Sequence, residues 1–105
     1  MKIHVREASD IGDDIGAIEN AIITVHKAME DTPYNVVRVD IYLGRKLCVP
    51  GNNKPMMCML DARIKGGIPI AVMEDGPTIE EAVQKAVLDL KKTLHRLFGN
   101  RVPDN

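Results

Sequence analysis

The chain has 105 residues, of which 45% are hydrophobic and 28% charged, as in an ordinary globular protein with one modest core. Its formal net charge of -1 lacks the strong excess of basic residues that marks many nucleic-acid-binding proteins. Two cysteines are too few for a disulfide framework, and no apolar run approaches a membrane-spanning length. The cysteine count excludes a disulfide-rich secreted domain, and the short apolar runs exclude a helical membrane protein. The charged N-terminus does not look like a signal peptide, so we expect a cytoplasmic location.

The first third of the chain predicts a strand followed by a helix. Residues 2–7 alternate between apolar and charged side chains, which is typical of a half-buried strand. Ser9 and Asp10 offer capping oxygens for a helix that reaches Glu30, and Pro33 prevents it from continuing. The apolar residues of this helix return at steps of three and four, and they are Ile11, Ile15, Ile18, Ile22, Val25 and Met29.

The middle of the chain predicts three strands joined by short turns. Alternation over 36–47 places one set of side chains on the inner face, namely Val37, Val39, Ile41 and Leu43, and Arg38, Asp40 and Tyr42 on the outer face. A loop at 50–55 leads to a strand at 56–65, and Gly66 and Gly67 form a tight hairpin turn. The last strand, 68–74, contains Pro69, which has no ladder donor and therefore indicates an edge position.

The final helix is predicted to begin at a capping box formed by Thr78 and Glu81 and to end before Gly99. Its apolar residues fall on one arc, and they are Ile79, Ala82, Val83, Ala86, Val87, Leu90, Leu94, Leu97 and Phe98. The element order is β-α-β-β-β-α, which predicts an α+β fold with a four-stranded mixed sheet and both helices on one face. We expect one domain over 1–99 and a flexible tail at 100–105.

The sequence contains no motif that indicates catalysis. The three histidines lie in three different predicted elements, without metal-ligand spacing, and there is no phosphate-binding loop or nucleophile motif. We therefore predict a protein that is not an enzyme and that uses neither a metal nor a cofactor. With only two tyrosines and one phenylalanine, it also lacks the rings needed to stack on single-stranded bases.

The outer side of the final helix carries a stripe of positive charge. At 100° per residue Lys85, Lys92 and Arg96 lie within about 40° of one another, with Asp89 among them and Leu88 beside them. Lysine and arginine contact phosphates without reading a base sequence, so a structured RNA recognised by its shape suits this surface better than a specific DNA sequence. A solvated helix face, whose cations favour the helix C-terminus, would have the same pattern.

The segment "MCMLDARIKGGIPIAVMEDGPTIEEAVQKAVLDLKKTLHRLFG", together with the strand "VVRVDIYL", resembles the ribosome-hibernation family. This family comprises hibernation-promoting factor, ribosome-associated inhibitor A (protein Y) and their short relatives. The resemblance implies a fold like that of double-stranded-RNA-binding domains. It also implies binding to the 16S rRNA of the small ribosomal subunit, which would silence translation by occluding the sites of mRNA and tRNA. The chain ends soon after the last helix, which fits a short member without the C-terminal dimerisation domain.

The resemblance also selects candidate RNA-binding residues. Lys92 and Arg96 match basic positions of the family's helix, whereas Asp89 replaces a lysine, and this exchange reverses the sign of a phosphate contact. The predicted set is Lys85, Lys91, Lys92, His95 and Arg96, with Arg38, Arg63 and Lys65 as secondary contacts.

A second hypothesis is a protein-interaction or homodimeric module of the same fold that has lost ribosome binding. Near-neutral charge, Asp89, the outward Leu88 and the outward Met57 and Met59 favour it. Weak homodimerisation is left open by the sequence.

Overall fold

The computed structural model describes residues 1–8, 15–45 and 55–99. The elements in chain order are β1 (Lys2–Glu7), α1 (Ile15–Glu30), β2 (Val36–Arg45), β3 (Met56–Ile64), β4 (Pro69–Gly76) and α2 (Ile79–Phe98). This is the predicted order, and it confirms the α+β class. The predicted cap of the first helix, most of the loop at 50–55 and the tail at 100–105 lie outside the described residues.

The four strands form one mixed sheet in the order β1-β2-β3-β4. β1 and β2 are parallel because α1 carries the chain back across the sheet between them, whereas the other neighbours are antiparallel. Gly66 has a φ of 75° in the turn between β3 and β4, a conformation that glycine adopts without a steric penalty. β4 lies at the edge, as Pro69 indicated, and there a missing N–H costs no ladder hydrogen bond.

Both helices pack on the same face of the sheet, and the core lies between them and the strands. The largest fully buried side chains are Ile41, Leu60, Leu90, Leu94, Val25, Val39, Val83 and Cys58. Burial raises the pKa of the Cys58 thiol to about 12, so this cysteine stays protonated and acts as a small hydrophobic side chain, as the sequence predicted. Cys48 lies outside the described residues.

The predicted stripe of α1 is wrong at Ile15, which is 65% exposed. The buried residues of α1 are Ala21, Val25, Ala28 and Met29. At 100° per residue the two alanines lie on one side of Val25 and Ile15 on the other. The buried face of α1 is therefore centred towards its small residues, and Ile15 faces outward.

The predicted inward direction of Val37 is also wrong, because β2 contains an irregularity at this point. Val36 pairs with Ile64 and Arg38 pairs with Arg63, so three residues of β2 span two of β3. The extra residue shifts the alternation, and Val36 becomes buried while Val37 is 42% exposed. In α2 the predicted arc is wrong only at Leu97, which is 48% exposed, whereas Phe98 is partly buried against the core.

Candidate nucleic-acid interface

The exposed side of α2 is positioned by its cap and its buried face. Thr78, in an extended conformation, accepts a hydrogen bond from the Glu81 backbone N–H at 3.1 Å, which confirms the predicted helix start. Seven apolar residues between Ile79 and Leu94 are buried and fix the rotation of the helix. Lys85, Lys92 and Arg96 are exposed as a result. We call these three residues, together with Asp89, the α2 stripe.

The α2 stripe borders a shallow cleft of about 270 Å³ between α2 and β4. The cleft is lined by Glu74, Lys85, Leu88, Asp89 and Lys92. Asp89 is half-buried, and its Oδ1 accepts a hydrogen bond from the Thr93 hydroxyl at 3.4 Å. The anion that interrupts the stripe in sequence therefore lies at its inner edge, beside the sheet, while the cations project outward.

Glu74 is a member of this cleft that the sequence analysis did not assign to the stripe. The hydrogen bond between the Glu74 and Asp89 side chains raises the pKa of Glu74, and burial and the charges of Asp89 and Asp75 act in the same direction, whereas Lys85 opposes them. The sequence held a signal for this position, since Glu74 continues the set of Ile70 and Val72 on the helix-facing side of β4.

Lys91 and His95, also predicted as contacts, lie on the side of α2 that faces away from β4. The Tyr34 hydroxyl lies 3.3 Å from His95 Nδ1, which joins the last turns of α2 to the connection after α1. The rings of Tyr34 and Phe98 lie 6.1 Å apart and strengthen this junction. Lys91 is half-buried, whereas His95 is exposed at the flank of the stripe.

The three secondary residues are not part of the same surface. Arg38 and Arg63 are cross-strand neighbours on the sheet face opposite the helices, and Lys65 lies in the turn between β3 and β4. Lys2 continues their row onto β1 through its pairing with Arg38. The eight predicted residues therefore divide between opposite sides of the domain.

Asp40 lies on the open face, as predicted, but it is only 9% exposed. Both Nε and Nη2 of Arg38 lie 3.1 Å from Asp40 Oδ1 and cover the carboxylate. Its cross-strand neighbour is Asp61, whose buried Oδ1 has no hydrogen-bond partner among the described residues. The charge of Arg38 on this face is thus offset within the sheet.

Within the part of the chain that the structure describes, no three histidine, cysteine or acidic side chains gather as a metal site would require. No helix in the same part of the chain is both long and apolar enough to span a membrane. What the candidate surface does offer is a set of exposed cations on a rigid helix, which suits electrostatic binding to a polyanion.

No protein-family model and no curated protein sequence matches the chain. Solved structures share its fold, including the following two. A ribosomal subunit interface protein from Coxiella burnetii is 14% identical, with a TM-score of 0.70 over 94% of this chain and 99% of that one. The Protein Y N-terminal domain of Thermus thermophilus is 18% identical, with a TM-score of 0.61 over 91% of this chain and 94% of that one. The resemblance to the hibernation family is thereby confirmed at the level of the fold.

Proposed function

We propose that the protein is a cytoplasmic, ribosome-associated factor of the hibernation type. In this proposal it binds the 16S rRNA of the small ribosomal subunit and silences translation by occluding the sites of mRNA and tRNA. The observation that carries the proposal is the fold, shared over nearly the whole length with a ribosomal subunit interface protein and with a Protein Y domain. The second support is the α2 stripe, which provides a surface for phosphate contacts.

The spacing of the stripe suits contacts with an RNA backbone. With a rise of about 1.5 Å per residue, Lys92 lies roughly 10 Å along the helix from Lys85 and roughly 6 Å from Arg96. Cations at such intervals can meet successive phosphates, which fixes the position of the protein without reading bases. The proposed mechanism is therefore steric occlusion held by electrostatic contacts, and it requires no catalytic group.

Sedimentation of cell lysate through density gradients at low and high salt tests the proposal. We expect the protein to travel with the small subunit or the whole ribosome at low salt and to be released at high salt, because the contacts are largely ionic. A protein that stays at the top of the gradient at low salt is not a ribosome binder.

A second candidate is a homodimeric module of the same fold, and it is favoured by exposed apolar side chains on α2 and on the open sheet face. Leu88 is 54% exposed on the cleft between the two lysines. On the open sheet face the exposed Met73 is the cross-strand neighbour of half-buried Met59. Side chains of this kind are typical of surfaces that contact another protein.

Leu88→Asp separates the two candidates. If α2 forms a dimer contact, the variant should lose the concentration-dependent increase in mass seen for the wild type by analytical ultracentrifugation, because a buried carboxylate would oppose association. If the protein acts through rRNA alone, both proteins should remain monomeric. Leu88→Ala is the matched control, since it shortens the side chain without adding charge. A dimer that persists in Leu88→Asp would place the contact elsewhere.

A further inference from the structure

The cleft beside the α2 stripe brings together two carboxyl groups from different elements. Glu74 extends from β4 and Asp89 from α2, and both line the cleft that Lys85 and Lys92 border. Two carboxylates that line one cleft disfavour each other's charge, and this favours a state in which one of them holds a proton. The pair is therefore a site at which one proton can be held within the binding surface.

The charged groups around the pair come from each neighbouring element. On α2 the cations Lys85 and Lys92 line the same cleft, and on β4 Asp75 adds a further negative charge. On β3 the cross-strand neighbour of Glu74 is Cys58, whose buried thiol is neutral. With the proton in place the pair carries one negative charge against the two lysines, and after its loss the pair carries two.

We propose that the Glu74–Asp89 pair controls the affinity of the α2 stripe for RNA, so that binding is accompanied by proton uptake and strengthens as the pH falls. This inference rests on the proposed function, because it concerns the same surface. Phosphates placed against Lys85 and Lys92 add negative charge beside the pair and so favour its protonated form. By linkage, the protonated form must then bind the phosphates more tightly.

The direction of the shift at Glu74 sets the pH range. Its ordinary pKa of 4.5 is raised by Asp89, so the proton persists above the range in which an isolated glutamate would have lost it. Raising the pH through that range adds one negative charge to the cleft. RNA affinity should fall over the same interval.

Glu74→Gln is the informative variant, because the amide can still donate a hydrogen bond to Asp89 but cannot ionise. Binding of a short duplex RNA would be measured by fluorescence anisotropy from about pH 4.5 to about pH 8, at constant ionic strength. We expect the variant to match the wild type at the acidic end and to bind about twofold to fivefold more tightly at the alkaline end. Glu19→Gln, which removes an exposed carboxylate from α1, is the control for net charge.

The ratio of the RNA affinity of Glu74→Gln to that of the wild type, followed across the pH range, tests the inference. All other groups are common to the two proteins, so their effect on the pH dependence cancels when the affinity of the variant is divided by that of the wild type. A ratio that is constant with pH overturns the inference, as does a wild type that binds no duplex RNA at any pH, or a Glu19→Gln control that shows the same trend. The pH dependence of RNA binding tests the inference about the Glu74–Asp89 pair. Sedimentation with ribosomes tests the proposed function separately, so failure of one is distinguishable from failure of the other.

Discussion

Replacing both Lys92 and Arg96 by glutamate should weaken binding to purified small ribosomal subunits by roughly 10-fold to 100-fold at low salt. Each substitution removes a cation that would meet a phosphate and adds a charge that phosphates repel. The dependence of log affinity on log salt should also become less steep, by about one unit for each cation removed from the interface. Co-sedimentation at a series of salt concentrations measures both quantities.

The matched control for this double variant lies on the other side of the domain. Arg63→Glu combined with Lys65→Glu also reverses one lysine and one arginine, but on the open sheet face and its hairpin turn. If the α2 stripe is the main contact, the control should lose much less affinity. A larger loss of affinity in the control than in the α2 variant would place the principal RNA contact on the sheet. Circular dichroism of both variants verifies that the fold is retained.

Leu90→Ala should have the largest effect on stability, lowering the free energy of unfolding by about 2 to 5 kcal/mol. Leu90 is fully buried in the middle of the apolar face of α2, where that helix packs on β3 and β4. The substitution removes buried methyl groups and leaves a cavity that a packed core closes only in part. Because domains of this size are stable by about 5 to 15 kcal/mol, the loss is a large fraction of the total. Urea unfolding followed by circular dichroism measures it.

Leu88→Ala is the control on the same helix, two residues away and mostly exposed. We expect it to change the free energy of unfolding by no more than about 0.5 kcal/mol. Equal losses of unfolding free energy in the two variants would contradict the orientation of α2, in which Leu90 faces the core and Leu88 faces solvent.

Most of the fold could be predicted because the patterns that specify it are local. The buried arc of α2 and its cap at Thr78 follow from periodicity and from one side-chain hydrogen bond. The prediction errors arise where pairing or packing with a neighbouring element determines which side chains are buried. Val37 is displaced by the irregular pairing of β2 with β3, and Ile15 lies beyond the edge of the α1 face that the rest of the domain buries. Neither effect is visible in a single segment of sequence.

The candidate site was predicted less completely than the fold. Helical periodicity correctly brought Lys85, Lys92 and Arg96 to one exposed face. It could not show that Glu74, fifteen positions before Asp89, would reach the same cleft. It also could not show that Arg38 would cover Asp40, since that contact depends on the side-chain conformation on the sheet. Contacts between elements therefore determine the electrostatics of the surface.

The strand order also bears on how the chain is assembled during synthesis. Each strand pairs with the strand that precedes or follows it along the chain, so the sheet can be built stepwise as the polypeptide leaves the ribosome. α2 is the last of the described elements, so Leu90 and Leu94 are synthesised after β3 and β4, the strands on which they pack. The α2 stripe therefore acquires its fixed orientation at the end of this sequence. A nascent chain that stops before α2 has neither a closed core nor the cations of the proposed RNA contact.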